Sequence, residues 1–285
     1  MDAFIRNIIR LAFEEDCPNQ DVTSNICLDK NTFGKAYFLS KATGIFCGEK
    51  FIPILVDEYK YFCKEAKLQI LDLPKDREDL FINKKFGLLE GRLIDLLVIE
   101  RTLLNFIQRL CGIATITYKY VEVAGKNKIL DTRKSIPGHR YLDKYAARIG
   151  GATNHRMSLS DQILVKNNHI DALDRDYLKL GRNLSEKNKN NLKVEIEVRN
   201  LNELIEVLNS CSMDVIMLDN FNDSDTFEAV KIIRDRNSNI DIELSGSMNI
   251  ERITALSRSL EGVYISVGSI FTKVQNLDIS FRIEI

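Results

Sequence analysis

KILDTRK (128–134), ILVKNNH (163–169), VEIEV (194–198), VIMLDN (215–220), IDIELSG (240–246) and VYISVGS (263–269) are the runs that decide the fold. Each is a short apolar stretch that closes in polar or glycine residues. Markers near their ends, Lys134, Lys166, Glu197, Asp219, Ser245 and Gly268, stand 22 to 32 residues apart, room for a strand, a helix and two loops. The segments between them have helical character. Leu201, Leu204, Ile205 and Leu208 share one face behind a capping-box-like Asn200 and Glu203; Asp225 precedes FEAVKIIRD with Glu228 three positions on; IERITALSRSL carries Ile253, Leu256 and Leu260. Strands alternating with helices pair in parallel, because parallel neighbours need crossovers of this length. Chemistry-bearing residues sit at the C-terminal end of run after run. A β/α barrel brings all such ends to one mouth, whereas a doubly wound sheet furnishes only its switch point. No GxGxxG follows a strand, which further disfavours a dinucleotide fold. The reading is a barrel of β/α units, closed or incomplete, behind a smaller α+β domain.

Upstream, MDAFIRNIIRLAFEED reads as an amphipathic helix with Phe4, Ile5, Ile8, Ile9 and Ala12 on one face. Strand-like GKAYFLS (34–40) and GIFCGE (44–49), a helix around Lys50–Phe62 and strand-like KLQILDL (67–73) form the small α+β unit. A helix buried on most of its surface begins near Leu93 and runs without Gly or Pro to Gly112. ATITYKYVEVAG (114–125) reads as a further helix ending at Gly125.

The composition excludes several classes. Among 285 residues, 40 Lys+Arg stand against 41 Asp+Glu, with 45% hydrophobic and 28% charged, so disorder and an overall basic nucleic-acid binder are both disfavoured. No window resembles a membrane span, and Arg6 and Arg10 interrupt the opening apolar stretch, against a signal peptide. Cys17, Cys27, Cys47, Cys63, Cys111 and Cys211 contain no CxxC pair; they read as reduced, mostly buried thiols of a cytoplasmic protein.

Residues 131–170 hold seven basic residues (Arg133, Lys134, Arg140, Lys144, Arg148, Arg156, Lys166) against Asp131, Asp143 and Asp161, a surplus of +4 in a chain of net charge −1. All three histidines, His139, His155 and His169, fall in the same window. Lys144 and Arg148 read as a solvated face, and His139 and His169 as structural; His155, beside Arg156, stands open between the two roles. Arg133, Lys134 and Lys166 lie at strand ends. Cations converging in one desolvated cavity repel unless an anion neutralises them, which implies a small ligand with more than one negative group. Glu197 and Asp219 end the next two strands, and period-2 alternation puts Glu195 and Glu197 on one side. These carboxylates could hold Mg²⁺, bind ribose hydroxyls or stabilise developing positive charge; an internal ion pair of Glu197 with Lys166 or Lys134 is the bland alternative. The endings ELSGSM and SVGS suit a phosphate, since barrels commonly bind one at their last strands. The residues alone thus imply a β/α-barrel enzyme that brings a phosphorylated substrate to a polycarboxylate or similar anion, with Mg²⁺; they leave the reaction type open.

The chain resembles the quinolinate phosphoribosyltransferase family, also called carboxylating nicotinate-nucleotide pyrophosphorylase. The resemblance is carried by ERTLLNFIQRLCGIAT (100–115), ILDTRKSIPGHR (129–140), KYAARIGGATNHRMSLSD (144–161), ILVKNNHI (163–170), VEIEV (194–198), IMLDNF (216–221), the ELSG segment and ISVGS (265–269), with EDCPNQDVTS (15–24) matching a weaker N-terminal signature. It implies an N-terminal α/β sandwich domain over 1–108, completed by 275–285, and an incomplete α/β barrel of parallel strands over 109–274. It also implies that quinolinate and phosphoribosyl pyrophosphate become nicotinate mononucleotide, CO₂ and pyrophosphate, with Mg²⁺, at the entry to NAD synthesis. A homodimer, sometimes arranged as a hexamer (a trimer of dimers), is implied too.

By motif, Arg133, His155, Arg156 and Lys166 would hold the quinolinate carboxylates with Thr132 beside them, and Arg101 would reach in from the partner chain. Lys134 would meet the pyrophosphate. Glu197 and Asp219 would lie near the ribose and the metal. Ser245, Gly246 and Ser247, with Val267, Gly268 and Ser269, would cradle the 5′-phosphate. Lys134, Lys166, Glu197 and Asp219 would be the catalytic set, with Lys166 or Arg133 offsetting the negative charge left at ring C2 by decarboxylation. Three positions depart from the family pattern: Ser158 stands where Gly is usual after HRM, Ser247 where a Gly or Asn is frequent, and Asn167 where Asp is common. Rival readings are a paralogue associated with molybdenum transport, a non-catalytic sensor of a phosphorylated metabolite, and a nicotinate-specific transferase. Having Lys134, Lys166, Glu197 and Asp219 together argues against the sensor.

Overall fold

The computed structural model describes residues 2–17, 19 and 21–284. Pro18 and Gln20 of the N-terminal signature, and Met1 and Ile285 of the expected domain ranges, lie outside the described residues. The chain forms two compact units: Met1–Tyr118 with Ser135–Gly151 and Ile270–Ile285, and Lys119–Lys134 with Ala152–Ser269. The expected boundary at 108/109 therefore falls inside the first unit, and residues 135–151, expected within the barrel, group with that unit as well.

Helix α1 (Asp2–Asp16) buries Ile5, Ile9 and Phe13, one residue per turn. Phe4 stays exposed and Ile8 half-buried, so the buried stripe is narrower than the expected face and shifted towards Phe13. Next come α2 (Val22–Cys27), β1 (Phe33–Ser40), a two-residue β2 (Gly44–Ile45), α3 (Phe51–Phe62), β3 (Leu68–Asp72), β4 (Asp79–Leu80) and β5 (Lys85–Arg92). Phe13 stacks on Phe62 and tilts against Tyr59, fixing α1 on α3. Helix α4 (Leu93–Val123) then runs 31 residues without interruption. The two helices expected on either side of Gly112 are one. Gly112 is there because the chain passes it closely: a Cβ would stand 2.3 Å from the Gln275 carbonyl oxygen.

The barrel unit follows the expected alternation. Its strands are β6 (Lys128–Leu130), β7 (Ile163–Val165), β8 (Val194–Val198), β9 (Val215–Asp219), β10 (Asp241–Ser245) and β11 (Tyr264–Ser266). Between β6 and β7 lies α5 (Arg140–Ile149), which belongs to the first unit; then come α6 (Asn167–Asp171), α7 (Tyr177–Lys187), α8 (Leu201–Ser210), α9 (Asp223–Arg236) and α10 (Ile250–Leu256), and α11 (Ser269–Thr272), which beyond Ser269 belongs to the first unit as well. Asparagines cap three of these helices: Asn200, Asn222 and Asn249 accept from the N–H groups of Glu203, Asp225 and Arg252. Two sequence details change. Glu203 reaches back to the Arg199 N–H and not to that of Asn200, and α9 starts at Asp223 behind the cap Asn222, so Asp225 lies inside its first turn.

All six strands pair in parallel in the order β6-β11-β10-β9-β8-β7. Thr153 bridges to Leu130 beyond β6, leaving β7 as the other edge, so the barrel is incomplete at that seam. The chain's last strand, β12 (Ile279–Glu284), returns to the first unit and closes an antiparallel sheet of order β12-β1-β5-β3. Phe38 meets Phe86 and Phe281 in that sheet's core.

Lys144, expected on a solvated face, is 1% exposed on α5, whereas Arg148 is exposed as read. Its neighbour Asp143 is also buried and takes a bidentate contact from Arg109 at 2.9 Å twice, so this face of α5 is a buried polar layer. All six cysteines are free, but only Cys47 and Cys111 are buried; burial pushes the Cys111 thiol up to about 12 and Cys47 in the same direction. Among the described residues no helix is long and apolar enough to cross a membrane.

Gly112→Ala tests the close passage of the chain. Alanine gains up to about 1 kcal/mol of helix propensity, but overpacking against a backbone carbonyl costs about 1–3 kcal/mol. Net destabilisation in denaturant melts is the expected outcome.

Candidate active site

A cavity of about 470 Å³ opens at the C-terminal ends of the barrel strands. Thr132, Arg133 and Lys134 follow β6, and Lys166 follows β7. His155 and Arg156 lie on the segment that bridges to β6. Asp131, fully buried at the end of β6, holds that segment by accepting from the His155 N–H at 2.9 Å and from Asn154 Nδ2 at 2.5 Å.

The cationic wall is under-compensated. The Nε atoms of both Arg133 and Arg156 are buried and have no acceptor. Arg156 spends Nη1 on the Gln162 carbonyl at 3.2 Å. Desolvation, and then the charge of Arg133, push the Arg156 pKa down. Two guanidinium groups thus stand close enough to repel, and a bound anion relieves that repulsion.

Beneath them His155 Nε2 lies 3.4 Å from Glu195 Oε2 and 3.4 Å from Glu243 Oε2. Gln162 Nε2 donates to Glu195 at 2.5 Å and Ser266 Oγ to Glu243 at 2.5 Å, while Glu195 Oε1 is buried without a partner. Ligand-type atoms of His155, Glu195 and Glu243 all lie within 4.8 Å of one another. The Nε2 side of the imidazole is what these two carboxylates share. Burial works against a charged ring, but hydrogen bonds to Glu195 and Glu243 outweigh it and raise the His155 pKa to about 9. Burial likewise pushes Glu195 up. The Arg156 N–H donates to His155 Nδ1 at 2.7 Å, so Nδ1 is an acceptor in this geometry and the proton facing Glu195 and Glu243 is on Nε2.

Across the cavity Glu197 Oε2 is 3.8 Å from Lys166 Nζ, and the Asn167 N–H approaches Oε1 at 3.4 Å. Both ends of this ion pair line the cavity, so the bland and the functional readings of Glu197 describe the same side chain. Asp219 accepts from Asn220 Nδ2 at 3.0 Å. Ser245, Gly246 and Ser247 form the remaining wall. Gly246 has φ +89°, and a Cβ there would lie 2.2 Å from Asn220 Oδ1, so only glycine fits.

The other residues of interest lie outside this lining. Val267 is fully buried; Gly268 packs on the Lys134 side chain; the Ser269 hydroxyl bonds Tyr120 at 2.9 Å. Arg101 is exposed on α4, in the first unit. His139 stacks on Phe106, with burial lowering its pKa, and His169 Nδ1 accepts from the Lys166 N–H, so both are structural as read. Ser158 Oγ donates to Asp161 at 2.8 Å within its loop, the Asn167 side-chain oxygen is buried without a partner, and Ser247 adopts φ +49°. Glu243 and Asn220 were missed. The alternation applied to Glu195 and Glu197 also pairs Glu243 with Ser245, and Asn220 directly follows Asp219.

The fold and this cavity define an enzyme class: a parallel β/α barrel whose mouth brings anionic small molecules between guanidinium groups and carboxylates. The chain belongs to the quinolinate phosphoribosyl transferase family, whose N-terminal domain matches residues 21–111 and whose C-terminal domain matches 113–282. It is 35% identical to a mitochondrial quinolinate phosphoribosyltransferase [decarboxylating] of Nicotiana tabacum, over 98% of this chain and 82% of that protein. A probable nicotinate-nucleotide pyrophosphorylase [carboxylating] of Synechocystis is 34% identical over 88% of this chain and 83% of its own. The solved nicotinate-nucleotide pyrophosphorylase of Francisella tularensis superposes with a TM-score of 0.86 at 33% identity, covering all of this chain and 97% of that one.

Glu243→Gln tests the His155 cluster. A raised His155 pKa contributes stability that is full below about pH 6.5 and is lost as pH rises through about 9. The variant lowers the His155 pKa in an NMR titration of the three histidines and flattens the fall in unfolding free energy across that interval. An unchanged titration removes Glu243 from the account.

Proposed function

We propose that this chain transfers the phosphoribosyl group of phosphoribosyl pyrophosphate to the ring nitrogen of quinolinate and decarboxylates the product, giving nicotinate mononucleotide, CO₂ and pyrophosphate for NAD synthesis. The observation that carries the reading is the pair of mutually repelling guanidinium groups of Arg133 and Arg156 on one wall of the cavity, which suits a ligand with adjacent carboxylates. Family membership supplies the rest.

In this reading Arg133, Arg156, His155 and Lys166 hold the quinolinate dianion, with Thr132 beside them. The ring nitrogen attacks C1 of the ribose as the bond to pyrophosphate breaks, and Glu197 and Asp219 face the positive charge that develops on the sugar. Lys134 meets the departing pyrophosphate, and Ser245, Gly246 and Ser247 take the 5′-phosphate. Loss of CO₂ leaves an electron pair at ring C2, which Lys166 or Arg133 offsets until a proton arrives there. The carboxylate oxygens of Glu197 and Asp219 are hard donors that suit Mg²⁺ and would hold it directly or through the substrate. The chemistry supplied by a bound Mg²⁺ is neutralisation of the leaving-group charge. The working form is a homodimer, or a hexamer built as a trimer of dimers, in which the exposed Arg101 serves a neighbour's site. The six free thiols support a reducing compartment, the cytoplasm.

Purified protein with quinolinate, phosphoribosyl pyrophosphate and Mg²⁺ forms nicotinate mononucleotide, detected by mass; turnover of nicotinate in place of quinolinate, without CO₂ release, overturns the reading. Arg156→Ala raises the quinolinate KM about ten- to a hundredfold, the effect of one lost charged contact. Lys166→Met slows CO₂ release; normal binding of both substrates with the native rate of release removes Lys166 from the decarboxylation step.

A further inference from the structure

We infer that Arg252, outside the cavity lining, is the positioning residue that sets the phosphate-binding backbone in its receptive conformation. The inference rests on the proposed reading in taking the sugar phosphate to bind at Ser245–Ser247. Three residues at the ends of β9 and β10 have positive φ: Asn220 (+58°), Gly246 (+89°) and Ser247 (+49°). Left-handed backbone at non-glycine residues is unfavourable and persists only where the surroundings enforce it. Arg252 is the group that does so. From the first turn of α10 its Nη1 donates to the Gly246 carbonyl at 3.1 Å and its Nη2 to the Phe221 carbonyl at 2.5 Å, while Nε is anchored by Asp223 at 3.0 Å. One planar guanidinium therefore ties the loop after β9 to the loop after β10, with its own aim fixed by the first turn of α9.

The consequence for binding follows from peptide geometry. In a trans peptide the carbonyl and the next N–H point in opposite directions. With the Gly246 carbonyl drawn to Arg252, the Ser247 N–H points away from the guanidinium. No acceptor among the described residues takes the Gly246 or Ser247 N–H, and both residues line the cavity. Successive unpaired N–H groups around left-handed residues form an anion-binding concavity. Arg252 holds that concavity open from behind, and its side chain, 19% exposed, adds positive charge without touching the ligand. Lysine cannot replace it, since a single ammonium does not present a rigid fork to two carbonyls and a carboxylate together.

The test compares Arg252→Ala and Arg252→Lys with the parent, using ribose 5-phosphate binding by calorimetry and KM for each substrate. Both variants weaken ribose 5-phosphate binding and raise the KM for phosphoribosyl pyrophosphate by about tenfold or more, as expected for lost charge-assisted bonds. The KM for quinolinate stays near the parent's. Millimolar methylguanidinium partly restores Arg252→Ala, which a general loss of folding would not allow. Unchanged ribose 5-phosphate binding in either folded variant, or an equal loss for quinolinate, overturns the inference. If Arg252→Ala does not fold, Arg252→Lys decides alone. Because the calorimetric probe needs no turnover, a parent that binds ribose 5-phosphate but forms no nicotinate mononucleotide refutes the proposed reaction while leaving Arg252 to be judged on binding.

Discussion

Two guanidinium groups held side by side in a half-buried wall form an arrangement that a folded chain adopts only against resistance. Arg133 and Arg156 belong to separate segments, one following β6 and the other following the bridge at Thr153, and each retains a buried Nε without an acceptor. In an isolated chain their repulsion and desolvation would drive them apart into solvent. The rest of the barrel mouth prevents this. Asp131 ties the second segment to the end of β6, and Glu195 and Glu243 anchor His155, the residue just before Arg156. Acidic groups thus lie beneath the cationic wall without neutralising its face towards the cavity.

The incomplete barrel makes this division of labour possible. Parallel strands put every C-terminal end on one rim, so six short segments contribute side chains without long excursions. Strand β8 uses its two faces differently: Glu195 and Glu197 point inward while Val194, Ile196 and Val198 are buried on the other side. Deeper in the barrel Glu195 supports His155; nearer the rim Glu197 meets Lys166.

Much of this was legible from residue order. The six strands could be read because each is apolar, brief and ended by a polar or glycine residue, and because the steps between them allow one crossover. The cationic wall was legible since its members cluster in sequence between Arg133 and Lys166. What escaped depended on contacts between distant segments. Gly112 reads as a helix break until Gln275 is found against it. Lys144 reads as solvated because sequence does not show that a polar layer with Asp143 and Arg109 is buried. Glu243 lies 88 residues from the histidine it supports, so no local pattern connects them. Arg252 leaves little trace in the sequence because two of its three partners are main-chain carbonyls.

Helix α4 starts in one compact unit and finishes in the other. A chain severed between the regions matched by the two family domains, after residue 111 or 112, would be cut in mid-helix. Each new end would leave about four backbone groups without their intrahelical partners, in a stretch whose side chains are largely apolar and buried. A break there would expose apolar side chains of α4 that the intact chain keeps buried.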